Sequence, residues 1–302
     1  MSDLKLFRLG PDGVRELPGE AVALEKSLQD LIEQNLESLL GVRFLASEYA
    51  TGKKHGGRID TLGVDENGCP VIIEYKRSMN ENVINQGLFY LDWLLDHKAE
   101  FWRLVFDSFG KDAADGLEWS APRLLCIAGD FTRYDEHAVG QINRNIELLR
   151  YRRFAENLLL LELVNATTAT ENSATTTKTA SSATYKTVSQ TLEEVKGDLR
   201  DLYNQVYEEL VALGDDVQVK TLKYYVAFKR LKNFACVEVH PSKGCVTCYV
   251  KVDPDEVELE NGFTRDVREI GHYGTGDLEI TLRSRDNLNR ALPLFLASYE
   301  AS

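Results

Sequence analysis

Cysteine is scarce in this sequence and has no partner set. Cys69, Cys126, Cys236, Cys245 and Cys248 are odd in number and scattered. That argues against a disulfide framework and for a reducing compartment. Long apolar runs are missing too, since no stretch approaches the roughly 18 residues of a membrane span. The opening Met1-Ser2-Asp3-Leu4-Lys5 has no basic region followed by an apolar run, so no secretory leader is expected. The expected location is therefore cytoplasmic, with no membrane partner. Basic charge is short as well: 35 Lys plus Arg stand against 48 Asp plus Glu, a formal net charge of −13. This counts against a general nucleic-acid coat, whose phosphate contacts need a basic surface. It leaves room for an acidic site beside a locally basic cleft. No Gly-x-Ser-x-Gly or kinase element is present. Cys245-Val-Thr-Cys248 has metal-ligand spacing, but it sits in a strand pattern, where residues three apart face opposite sides. With no second Cys pair and dispersed histidines, zinc is not expected. Gly271-His-Tyr-Gly-Thr-Gly-Asp277 lacks the Lys and Ser/Thr of a phosphate loop and reads as a tight turn.

The length suits about two domains. Between Asn165 and Gln190 Thr, Ala and Ser dominate and large apolar residues nearly vanish. Such a segment cannot offset its own ordering entropy. It is expected to be a flexible linker (165–190) between an N-terminal domain (1–164) and a C-terminal domain (191–302). The first domain opens with a hairpin, Leu4–Leu9 and Val14–Leu17, across Pro11-Asp12-Gly13. A helix is expected over about 21–40, ended by Gly41. Strands are expected over 42–49, 58–64 and 69–76, then a long helix over 81–109. A strand at 123–128, a helix around 136–150 and a strand at 158–164 complete the domain. This order predicts a mixed α/β layered sheet. The C-terminal domain reads as α+β: a helix over 191–213, antiparallel strands at 224–230, 235–239, 245–252 and 277–282, and a last helix over 285–299.

The stretch from Gly57 to Lys76 carries the chemistry. Metal-assisted phosphodiester hydrolysis needs carboxylates beside the scissile phosphate and a group that orients the attacking water. Mg²⁺ favours one or two carboxylates, with water and phosphate oxygens filling its other positions. Asp60 lies on one strand of a hairpin, while Glu74 and Lys76 lie two apart on the other and share a face. For Asp60 and Glu74 to point the same way they must sit opposite each other. That pairs Leu62 with Ile72 and Val64 with Pro70, and leaves the three-residue loop Glu66-Asn67-Gly68. A two-residue loop would pair Asp60 with Tyr75 and split the site across the sheet. A structural Lys–Glu pair is the bland reading of Glu-x-Lys alone; Asp60 in register on the next strand argues against it.

With these residues the chain resembles the PD-(D/E)XK nuclease superfamily, whose Asp…Glu-x-Lys signature it carries as Asp60, Glu74 and Lys76. Gln86-Gly-Leu-Phe-Tyr90 is similar to the Gln-x-x-x-Tyr element of RecB-like members. The N-terminal domain resembles NucS/EndoMS-like domains. The whole architecture resembles a bacterial family that joins such a domain to a C-terminal domain of unknown function. The resemblance implies a restriction-endonuclease-like mixed sheet flanked by helices, plus a smaller α+β domain. It implies a Mg²⁺-dependent nuclease, with Mn²⁺ able to substitute, acting on DNA rather than RNA in repair, recombination or defence. Asp60 and Glu74 would ligate the metal, with a backbone carbonyl near Tyr75 as a further ligand, and Lys76 would position the water. Glu25 is preferred as an additional helix glutamate, with Glu33 the alternative. Gln86 and Tyr90, one turn apart, would contact Lys76 or substrate, with plain packing as the alternative. Lys53, Lys54, Arg58 and Arg77 are the expected phosphate contacts, with a solvated surface as the alternative. Arg144, Arg150, Arg152 and Arg153 form a second basic cluster that reads as a solvated face or a strand-backbone track. The C-terminal domain, net acidic from Gln190 onward, is expected to mediate homodimerisation or to bind a protein partner. The competing function is a non-catalytic nucleic-acid-binding or regulatory module that retains the fold.

Overall fold

Apolar runs in the first half of the chain assemble into a mixed sheet, and those in the second half into an antiparallel one. The computed structural model describes residues 4–11, 13–20, 25–52, 56–76, 83–155, 157–169 and 187–302. The chain divides into two compact units, Met1–Thr170 and Glu171–Ser302.

The first unit opens with a hairpin of β1 (Leu6–Gly10) and β2 (Gly13–Leu17), with Leu6 opposite Leu17. The larger sheet contains β3 (Gly19–Glu20), β4 (Val42–Ala50), β5 (Arg58–Asp65), β6 (Pro70–Lys76), β7 (Arg123–Ala128), β8 (Asn145–Phe154) and β9 (Leu158–Thr167). Its order is β3-β8-β7-β6-β5-β4, with β9 also paired to β8. β6, β7 and β8 run parallel, and the other pairs are antiparallel. Helices α1 (Glu25–Gln34) and α2 (Leu36–Leu40) bury Leu28, Ile32, Leu36 and Leu40. Helices Val83–Asp96 and Lys98–Phe109 pack Leu91, Leu94, Phe101 and Val105 against Leu62, Ile72, Leu124 and Cys126. This is the mixed α/β class expected from the element order.

Several elements depart from expectation. The helix expected over 81–109 leaves helical geometry at His97 (φ −114°, ψ 36°), whose Nδ1 lies 2.8 Å from the Trp93 carbonyl. The helix expected around 136–150 is short, Arg133–Val139, and the residues after it form β8. β8 is buried on both faces over most of its length, so its apolar residues do not alternate and mimic a helical period. The proposed basic cluster is broken up with it: Arg150 is buried and ion-paired to Asp130 at 2.7 Å and Glu162 at 3.0 Å. The strand expected to stop at Val164 continues to Thr167, with Asn165, Ala166 and Thr167 opposite Leu148, Glu147 and Ile146. At the other end of the expected linker a helix starts at Val188, capped by Thr187.

In the second unit the sheet runs β10 (Gln218–Thr221), β11 (Val226–Lys229), β12 (Asn233–His240), β13 (Cys245–Val250), β15 (Leu278–Leu282) and β14 (Thr264–Asp266), antiparallel throughout. Helices Val188–Glu194, Asp198–Val211 and Arg285–Glu300 supply Val188, Val206, Leu210 and Phe295 to its core. The expected single helix over 191–213 is broken by Gly197, whose φ of 64° a side-chain-bearing residue would resist. The short strands β10 and β14 lie outside the strands expected from the sequence. Among the described residues no helix is long and apolar enough to cross a membrane.

One buried network braces the first sheet near the β5–β6 loop. Arg123 donates to both Glu147 oxygens, at 2.7 and 2.8 Å, and to Asp65 Oδ2 at 2.9 Å. Asp65 Oδ1 in turn accepts from the amides of Asn67 and Cys69, both at 2.9 Å. Removing the guanidinium leaves two buried carboxylates without their cation. Arg123→Leu is therefore expected to destabilise the fold by about 3–5 kcal/mol, as for other broken buried ion pairs. Urea unfolding checks this, and a loss below about 1 kcal/mol would show the network to be dispensable.

Candidate active site

The β5–β6 hairpin has the register that the chemistry selects. Leu62 faces Ile72 and Val64 faces Pro70. The Asp65 amide donates to the Cys69 carbonyl at 2.9 Å, leaving Glu66-Asn67-Gly68 as the loop, and Gly68 takes a φ of 77°. The paired register ends at Thr61 opposite Ile73. Both strands continue beyond it, β5 still bonded to β4 and β6 still bonded to β7. They therefore part where Asp60 and Glu74 stand, and carboxylates enter the gap. Asp60 Oδ2 accepts from the Tyr75 amide at 3.0 Å, and Glu74 Oε1 accepts from the Asp60 amide at 3.3 Å.

Glu74 is fully buried, and its Oε2 has no hydrogen-bond partner among the described residues. Burial, and then the neighbouring Asp60 carboxylate, push Glu74 from 4.5 up to about 9. Burial pushes Asp60 from 3.8 up to about 6, against the Tyr75 amide and the Lys76 charge, which pull it down. Lys76, with a side chain 14% exposed, places Nζ 3.1 Å from Glu25 Oε1. Burial lowers its pKa, but the Glu25 hydrogen bond and the charges of Glu25, Asp60 and Glu74 outweigh that and hold it above its ordinary value.

Both carboxyls hold a proton more tightly in the folded chain than in the unfolded one. Their stabilising effect is complete below the ordinary carboxylate range. It is lost as pH rises through about 6 for Asp60 and about 9 for Glu74. Metal-free protein is therefore expected to lose stability between about pH 5 and pH 9, and Mg²⁺ to restore most of it at the alkaline end. Glu74→Gln is expected to flatten this decline and to stabilise metal-free protein by on the order of 2 kcal/mol near pH 9. Thermal melts in EDTA across this range check the sign; stability that rises with pH would contradict it.

The donor set suits a hard divalent cation. Two adjacent carboxylates, one with an unpartnered buried oxygen, form an anionic pocket that a Mg²⁺ would neutralise. Among the described residues no group of three or more His, Cys, Asp or Glu side chains converges as a metal cage, and Mg²⁺ does not require one. The Tyr75 side chain is buried on the opposite face, its hydroxyl 3.3 Å from Thr61 Oγ1. The Tyr75 N–H points into the gap, and within a strand the carbonyl of the same residue faces the same neighbour.

The remaining expected residues are placed unevenly. Glu25 reaches the site, through Lys76. Glu33 instead accepts from Thr61 Oγ1 at 2.6 Å. Gln86 is half-buried on helix Val83–Asp96. Tyr90 is buried, and its hydroxyl accepts from the Arg58 amide at 3.2 Å. A Cβ on Gly57 would lie 2.5 Å from that hydroxyl, which explains the glycine there. Arg58 has a side chain 69% exposed, with Nε 3.5 Å from Glu48 Oε2. Lys53, Lys54 and Arg77 lie outside the described residues. One residue the sequence reading missed is Gln29, buried on α1 between Glu25 and Glu33. Its spacing, four residues from each, was the available signal.

Residues 188–302 match a domain of unknown function (DUF5655). The chain is 27% identical over 303 residues to an uncharacterized protein of Haemophilus influenzae, covering 96% of this chain and 98% of the relative. Among solved structures, a repair endonuclease from Pyrococcus abyssi is 19% identical, with a TM-score of 0.29, over 45% of this chain and 51% of that one. An EndoMS–dsDNA complex is 22% identical, with a TM-score of 0.25, over 43% of this chain and 47% of that one. The chain thus spans about half the length of each of these two structures.

Proposed function

We propose that this chain is a Mg²⁺-dependent nuclease that hydrolyses phosphodiester bonds in DNA, with Mn²⁺ able to replace Mg²⁺. One observation carries the reading. Asp60 and Glu74 meet in the gap between parting strands, Glu74 with an unpartnered buried oxygen, and Lys76 stands two residues on, on the same face. A divalent ion bound there supplies Lewis-acid polarisation of the phosphate and lowers the pKa of a bound water. Asp60, Glu74 and the Tyr75 carbonyl are the groups that would hold it. Lys76 presents a partly exposed ammonium that orients the attacking water and offsets charge on the phosphate. Glu25 fixes the direction of that ammonium through their 3.1 Å bond. Tyr90 supports the start of β5 by capping the Arg58 amide, and Gln86 lies one turn away on the same helix. Arg58, with Lys53, Lys54 and Arg77, would meet the phosphate backbone.

The net charge of −13 limits non-specific DNA attraction, so useful contacts must be few and local. The acidic C-terminal unit is correspondingly assigned to self-association or a protein partner rather than to DNA anchoring, and the protein to the cytoplasm, in repair, recombination or defence. The test is incubation of the full chain with single-stranded, double-stranded, mismatched and branched DNA and with RNA, in Mg²⁺, Mn²⁺ or EDTA. Cutting of at least one DNA form, faster than RNA and silent in EDTA, is expected. DNA binding without cutting under every condition would favour a non-catalytic module.

A further inference from the structure

Glu48 of β4 takes a φ of 50° and is passed over by the β4–β5 ladder opposite Asp60, which raises an accounting question, because a strand residue that loses its neighbour leaves backbone groups to be satisfied. The Asp60 N–H is taken by Glu74 Oε1 at 3.3 Å. The ladder that pairs Thr61 with Ile73 turns the Thr61 N–H toward β6, so the Asp60 carbonyl, on the other side of the same trans peptide, faces β4. That carbonyl accepts from Gln29 Nε2 at 2.8 Å. The same amide nitrogen lies 2.9 Å from Glu33 Oε1 and 3.2 Å from Ser47 Oγ. A carboxylate and a carbonyl can only accept, so the chemistry fixes which end of the Gln29 amide faces them. Glu33 Oε1 also accepts from Thr61 Oγ1 at 2.6 Å, and that hydroxyl lies 3.3 Å from the Tyr75 hydroxyl. Glu25, Gln29 and Glu33, each four residues apart on α1, thus meet Lys76, the Asp60 carbonyl and Thr61 in turn. One helix face runs along both strands that carry the site.

We infer that Gln29 is a positioning residue of this site: its amide replaces the β4 ladder partner that the Asp60 carbonyl lacks and fixes the Asp60 peptide, and with it the carboxylate that enters the gap between β5 and β6. The inference rests on the metal-nuclease reading of the same residues. Without that donor, the Asp60 peptide would turn to find its carbonyl another partner. That turn would draw the Asp60 carboxylate off the Tyr75 amide, from which it accepts at 3.0 Å. Gln29 touches neither substrate nor metal, so its effect should appear in metal affinity and turnover rather than in DNA affinity.

The experiment uses the full chain with Gln29→Met, of similar size but with no donor, and Gln29→Glu, of the same shape but acceptor-only when ionised. Mn²⁺ binding is measured calorimetrically without DNA, then kcat and KM for DNA cleavage are determined. Both variants should raise the Mn²⁺ Kd by about 10–100-fold and lower kcat by a similar factor at fixed metal, the range seen when groups behind metal ligands are removed. KM for DNA should stay within about twofold, and excess Mn²⁺ should recover part of kcat. Wild-type Kd and kcat in both folded variants would overturn the inference. Failure of both variants to fold would also overturn it, since Gln29 would then be a stability residue. A wild-type chain that binds no Mn²⁺ would overturn the metal reading itself, and this inference with it.

Discussion

Replacing Asp60 or Glu74 by alanine is expected to lower DNA cleavage by at least about 10³-fold while the fold survives, because each carboxylate would hold the ion that stabilises charge on the phosphate. Both side chains sit where β5 and β6 have parted, so the two residues form no pair in the β5–β6 ladder, while the Glu74 backbone keeps its place opposite Cys126 of β7. Both are pushed up in pKa by burial, Glu74 to about 9 and Asp60 to about 6, which marks a site that is costly to keep charged without a cation. Truncation should therefore leave the metal-free fold as stable as before or more so. Activity and stability would then move in opposite directions, and a residue kept only for structure does not behave that way. Circular dichroism melts beside cleavage rates separate the two outcomes. Activity near wild type in Asp60→Ala protein would remove the site assignment.

The second large effect belongs to Lys76. Lys76→Ala is expected to lower the rate by about 10²–10⁴-fold, the range for a group that manages protons or charge at the reacting centre. Mn²⁺ should still bind, since both carboxylates remain. It should bind somewhat more tightly at neutral pH if removal of the ammonium leaves the pocket more anionic. Glu25 loses its 3.1 Å partner in that variant and returns to a largely solvated helix start. The useful readout is the split between metal binding and turnover. Parallel loss of both would make Lys76 a determinant of the pocket's shape instead of a participant in the reaction.

The site hairpin was legible because its chemistry and its geometry constrain each other. Requiring Asp60 and Glu74 to share a face leaves one register, and that register is present, with Leu62 opposite Ile72. Gly41 and Gly68, both at positive φ, punctuate the chain where glycines were read as a stop and a turn. Strand β8 was not legible, because a parallel strand buried on both faces carries no alternation. The Arg123–Asp65–Glu147 network was hidden for another reason: its members lie on three different strands, and only the tertiary pairing brings them together. Gln29 looks like any polar residue on an amphipathic helix until the Asp60 carbonyl beside it is seen to lack a strand partner. Arg150 illustrates the converse, a charge that reads as surface and is spent on Asp130 and Glu162 inside the fold.

The most direct measurement is one DNA-cleavage time course with purified full-length protein in Mg²⁺, run beside the same protein in EDTA and beside Asp60→Ala in Mg²⁺. Cleavage in the first reaction and none above background in the other two is the expected result. Cleavage that persists in EDTA, or in Asp60→Ala protein, would contradict a divalent-metal site built on Asp60 and Glu74.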